Sequence, residues 1–99
     1  MQRDDGRRAT RNAIRAKCRE VGDLLVKKNR AYGNSALQPL GIFSRGTAEA
    51  QLRARIDDKL SRIKNMEGAF GENDIMDLTG YLVLLMIARD KANEKDKRR

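Results

Sequence analysis

Glu72-Asn73-Asp74-Ile75-Met76-Asp77-Leu78-Thr79-Gly80-Tyr81-Leu82-Val83-Leu84-Leu85-Met86-Ile87-Ala88 is the stretch whose reading decides the fold. From Ile75 to Ala88 apolar side chains occur nearly all round a helical repeat, with no alternation of the strand type. The pattern predicts a central, buried helix over about 74–92, capped by Asn73 or Asp74 after the breaks at Gly68 and Gly71. The longest unbroken apolar run, Tyr81 to Ala88, is far shorter than the ~20 residues a membrane-spanning helix needs.

Working back, Ala48, Leu52, Ile56, Leu60 and Ile63 form one stripe, which predicts a second helix over about 48–66 with Thr47 as N-cap. Ile14, Cys18, Val21 and Leu25 recur at the same spacing and predict a first helix over about 7–29. Between these helices lies a long loop of turn formers from Asn29 through Pro39 to Gly46. There is no strand pattern and no internal repeat. The expected fold is therefore all-α: one domain over 1–99 with three main helices, forming a helical bundle completed by oligomerisation. A chain of 99 residues with 39% hydrophobic and 36% charged residues has a thin core, which is why a homodimer or higher homo-oligomer is expected.

Composition also removes whole classes of chemistry. Histidine is absent, so imidazole bases, Ser-His triads and His-rich zinc sites are excluded. Cys18 is the only cysteine, so no intrachain disulfide forms, which suits a reducing compartment. The N-terminus has no apolar segment of the signal-peptide kind, so a cytoplasmic location is expected and no membrane partner. The net charge is +8, but residues 1–19 carry a net +5, residues 91–99 a net +3, and residues 20–90 balance at ten against ten. The basic ends, 1–10 and 91–99, leave nucleic acid as a partner that is open but not favoured; solvated helix ends explain them more simply.

Three groups of residues carry the candidate chemistry. Asp77 lies in the most apolar helix one turn before Tyr81, where a carboxylate is costly unless it is paired or binds a cation. A first-turn aspartate favoured by the helix dipole is the equally weighted alternative. On the second helix, Arg55, Asp58, Lys59 and Arg62 share one flank, whereas Asp57 points to the other. Such a flank suits phosphate oxygens, although a solvated face of ion pairs has the same pattern. The loop Lys28-Asn29-Arg30-Ala31-Tyr32-Gly33-Asn34-Ser35 combines cations, amides, a ring able to stack on a base and a permissive glycine. It lacks P-loop spacing, and Ser35, Ser44 and Ser61 have no visible base.

Taken in order, Lys28–Ser35, Arg55–Asn65 and Glu72–Tyr81 resemble the phage-encoded MazG-like proteins, often labelled nucleotide-modification-associated domains. The resemblance covers about residues 20–88. It implies an all-α nucleoside triphosphate pyrophosphohydrolase fold, an oligomer, and the cytoplasm of a phage-infected or lysogenic bacterial host. In catalytic relatives, acidic residues on two helices hold Mg²⁺ against the triphosphate. Carried over by motif position, Asp58 and Asp77 would be catalytic metal ligands, with Glu72 a third. Lys59 and Arg62 would face phosphates, and Tyr32, Lys28 and Asn34 would line the nucleotide pocket. Arg30, Gly33, Ser35, Arg55 and Tyr81 complete the expected nucleotide-binding set.

The chain departs from the family pattern in two places. The second acidic pair reads Asp77-x-x-Gly80, without its last carboxylate, and Ala31 stands where many relatives carry an acidic residue before the Tyr-Gly. Fewer carboxylates and more cations suit the holding of phosphates better than the concentration of Mg²⁺. Three functions follow as expectations. The first is a non-catalytic protein that sequesters a nucleotide, including a cyclic or modified signalling nucleotide used in antiphage defence. The second is a Mg²⁺-dependent (d)NTP pyrophosphohydrolase. The third is a helical nucleic-acid-binding or adaptor protein. Mg²⁺ is the expected cofactor only for the second.

Overall fold

The computed structural model describes residues 6–43, 45–65 and 71–97. Among these there are three helices and no strand: α1 (Arg7–Tyr32), α2 (Ala48–Asn65) and α3 (Glu72–Lys97). The all-α expectation holds. No helix among the described residues is long and apolar enough to cross a membrane.

Each helix boundary has a local cause. The expected end of α1 near residue 29 is three residues early. Nothing from Asn29 to Tyr32 opposes helix, so α1 continues until Gly33 closes it in the left-handed conformation at φ 65°. The Gly33 and Asn34 backbone N–H groups both donate to the carbonyl of Asn29, the Asn34 bond at 3.3 Å, as in a Schellman ending. Asn29 Nδ2 then donates to Asn34 Oδ1 at 2.8 Å and clamps the turn from its other side. Arg30 and Tyr32 are therefore helical, not loop, residues.

Thr47 caps α2 as expected, its Oγ1 accepting from the Ala50 backbone N–H at 3.1 Å. For α3 the expected cap was misplaced. The helix starts at Glu72, and Asp74 acts from the third helical position, its Oδ2 accepting from the Gly71 backbone N–H at 3.2 Å. That is the reach-back half of a capping box. At its other end α3 runs five residues beyond 92, because Ala92 to Lys97 contains no breaker and remains a solvated helix.

α2 and α3 pack antiparallel, with Glu49 near Arg89 at one end (3.7 Å) and Lys59 near Asp77 at the other (3.2 Å). α1 meets α3 over a shorter stretch, where Leu25 lies against Gly80. A Cβ on Gly80 would stand 2.9 Å from Leu25 Cδ2, so the missing side chain is what lets these helices approach so closely.

The core is thin. Val21, Leu52 and Ala88 are its buried apolar residues among those described, and Leu52 is the most enclosed at 1% exposure. α1 from Arg7 to Glu20, including Ile14 and Cys18, is exposed. α3 was expected to be buried on all sides, but Ile75, Leu82, Met86 and Ile87 remain exposed because α1 and α2 cover only part of its circumference. The radius of gyration, 17.1 Å, exceeds the ~13 Å of a compact domain of this length.

With so little buried elsewhere, Leu52→Ala is expected to lower unfolding stability by about 2–5 kcal/mol, the usual range for removing an enclosed leucine. A urea titration followed by circular dichroism checks this; a midpoint that does not move would mean that Leu52 is not the centre of the packing.

Candidate functional site

The site is assembled where the end of α1 meets the start of α3. Lys59 projects from α2 with its side chain only 12% exposed. Its Nζ lies 3.2 Å from Asp77 Oδ2 and 3.6 Å from Asp74 Oδ1. Asp74 is buried and also lies 3.7 Å from Arg62 Nε. From the other side, Lys28 Nζ of α1 donates to Asp77 Oδ1 at 3.3 Å. Asp77 thus gives one carboxylate oxygen to each neighbouring helix.

Burial pushes the Asp77 carboxyl up, but the hydrogen bonds and positive charge of Lys59 and Lys28 outweigh it, so the group is held below its ordinary value of 3.8. The sign is that of a depressed carboxylate. The folded state binds the proton less readily than the unfolded chain, so the stabilisation is fully present above pH 3.8 and is lost as the pH falls through the lower folded value.

Beside this ion-pair cluster lies a cavity of about 390 Å³, toward the lower end of the size range of small-molecule sites. α1 contributes Val21, Leu24, Leu25, Lys28, Asn29 and Tyr32 to its wall. The turn that follows contributes Asn34, Ser35 and Ala36, and α2 contributes Arg55 alone. The α3 side consists of Met76, Asp77, Gly80, Tyr81 and Leu84. Most of this wall is apolar, with two phenol rings and a few converging polar groups. Arg55 makes no ion pair among the described residues, although two of its helix neighbours, Lys59 and Arg62, do.

No known protein family, curated protein or solved structure matches this chain. The reading of the site therefore rests on its own geometry.

Of the residues expected from sequence, the cavity gathers Lys28, Tyr32, Asn34, Ser35, Arg55, Asp77 and Tyr81. Lys59 and Arg62 stand behind it, tied to Asp77 and Asp74 instead of lining the wall. Arg30 and Gly33 are exposed and outside the wall, as is Asp58. The side chain of Glu72 and all of Ser44 lie outside the described residues. Sequence reading missed Asp74 and Asn29. Asp74 was recoverable, since it stands three residues before Asp77 and so shares its helix face. Asn29 was not, because its role depends on a turn geometry that leaves no periodic signal.

Among the described residues no three acidic side chains converge closely enough to share a metal ion. The donor set around Asp77 is mainly cationic, since both of its oxygens already face ammonium groups. Gly80, where the family pattern would place another carboxylate, is buried under Leu25.

Asp77→Asn is expected to destabilise the protein at neutral pH, with the difference from wild type shrinking as the pH falls below 3.8. Thermal melts of both proteins from neutral pH down through the acid range check this. A deficit of constant size over that span would rule out the ion pairs as its source.

Proposed function

We propose that the chain is a MazG-like nucleotide-binding protein of phage type that holds its ligand without hydrolysing it. The observation that carries this reading is Arg55, an exposed guanidinium with no ion pair among the described residues, at the edge of the cavity lined by Lys28, Tyr32 and Tyr81. A cation without a carboxylate partner at the rim of a largely apolar cavity suits an anionic ligand, and guanidinium binds phosphate oxygens with two parallel hydrogen bonds. Tyr32 and Tyr81 offer faces for a base, and the amides of Asn29 and Asn34 offer polar partners for base or sugar.

Sequestration is favoured over turnover by the state of the carboxylates. Asp77 is occupied by two lysines, Asp58 is exposed and outside the cavity, and the position of the expected fourth acid is a buried glycine. A nucleotide held this way would be withdrawn from whatever uses it in the host cytoplasm, including a signalling nucleotide of antiphage defence.

Arg55→Ala is expected to weaken nucleotide binding by about 1–3 kcal/mol, as for the loss of one charge-assisted hydrogen bond. Calorimetry with a nucleotide panel measures it, and chromatography of the same mixtures with Mg²⁺ present reads turnover. Intact nucleotide recovered after denaturation supports sequestration. Release of a monophosphate and pyrophosphate would instead establish the hydrolase.

The proposal includes self-association. Ile14 on α1, Phe43 in the loop, and Leu82 and Met86 on α3 are exposed large apolar side chains that a second copy could cover. A second copy of the chain is the occupant that matches the extended shape and thin core. Sedimentation equilibrium is expected to give a dimer or larger species, and Leu82→Lys with Met86→Lys to shift it toward monomer. A wild-type chain that sediments as a monomer at high micromolar concentration would overturn this part.

A further inference from the structure

The balance of charge at the cavity specifies more than the presence of a phosphate. Lys28, Arg55 and Asp77 line the cavity, Lys59 is ion-paired to Asp77, and Arg62 and Asp74 pair with each other behind the wall. Four cations against two carboxylates leave two positive charges unmatched. These are not spread evenly. Lys59 is enclosed and held by two carboxylates, whereas Arg55 is unpaired and Lys28 is half-exposed and held at 3.3 Å by a single oxygen. The accessible positive charge is thus that of Arg55 together with a lysine that an incoming anion can draw from Asp77, which keeps Lys59.

We infer that the ligand is a nucleotide carrying two negative charges and bound without a metal ion, not a triphosphate. This rests on the nucleotide reading above and narrows it. A phosphomonoester carries about −1.5 to −2 at neutral pH and would match the unmatched charge. Two phosphodiester groups in one molecule supply the same total. A triphosphate brings more negative charge than the two free positives can match. It ordinarily relies on Mg²⁺ for the remainder, and the lysines around Asp77 repel that ion. The cavity, about 390 Å³ with a mostly apolar wall, shows among the described residues no second cluster of cations along which a phosphate chain could extend.

The test is calorimetry, with EDTA present, of nucleoside, 5′-monophosphate and 5′-triphosphate for each of the four common bases, together with linear and cyclic dinucleotides bearing two phosphodiesters. The preferred ligand is expected to bind at least tenfold more tightly than the bare nucleoside. The triphosphate of the same base is expected to bind no more tightly than the monophosphate, and Mg²⁺ is expected to give no gain. Arg55→Gln should erase the preference for phosphate while leaving the helical circular dichroism unchanged.

A pH arm separates the two sources of charge. The charged and titratable groups at the site are lysine, arginine, aspartate and tyrosine, and the chain contains no histidine. Between pH 7 and 5 the ligand's own second phosphate ionisation, near pH 6, therefore dominates the response. Monophosphate binding should weaken severalfold on going to pH 5, whereas binding of a bis-phosphodiester should stay constant. A triphosphate that binds tenfold more tightly than its monophosphate, with or without Mg²⁺, overturns this inference and leaves nucleotide binding standing. Failure of every member of the panel overturns the nucleotide reading itself.

Discussion

The ammonium of Lys59, enclosed between Asp74 and Asp77, is the interaction on which the rest of the structure depends. A lysine this far from water is costly unless carboxylates face it, and breaking such a set leaves a stranded charge. Two carboxylates one helical turn apart on α3 meet that requirement and pull the start of α3 against the end of α2. Because Asp77 spends only one oxygen on Lys59, the other is available to Lys28, and α1 is drawn in at the same point. Three helices are thereby tied through one side chain, in a chain whose apolar core is too small to fix their arrangement by packing alone.

The cavity is a consequence of that knot. α1 approaches α3 closely where Gly80 leaves room for Leu25, and the apolar residues on either side of this contact become the wall. The Schellman ending at Gly33, clamped by Asn29 and Asn34, turns the chain so that Asn34 and Ser35 close one edge. Arg55 lies one turn before Lys59 on α2, beyond the reach of the α3 carboxylates that engage Lys59 and Arg62. Among the described residues it makes no ion pair, and in the proposed reading it is the group that meets the ligand's phosphate.

The same economy leaves much apolar surface in water. Ile14 on α1, Ile42 and Phe43 in the loop, and the outer side of α3 at Leu82 and Met86 are exposed large apolar side chains. Hydrophobic burial is the main term favouring a folded state of this size. A second copy of the chain would supply the burial that one copy lacks, and would turn the outer side of α3 into part of a shared core.

The sequence by itself determined the helices, because their signals are local. The apolar run from Ile75 to Ala88, the stripe from Ala48 to Ile63 and the cap at Thr47 each act within a few residues. It also singled out Lys28, Tyr32, Arg55 and Asp77 as groups that could converge, because residue type and helical phase are both read along the chain. Helix ends were less legible: α1 passed Asn29 and α3 passed residue 92 because turn formers and charges permit a helix to end without forcing it to. Only the tertiary structure decided which cations face the cavity and which are consumed in ion pairs. That choice separates Arg55 from Lys59 and Arg62, which share its flank in sequence, because electrostatic pairing is a matter of distance across helices and not of spacing along one.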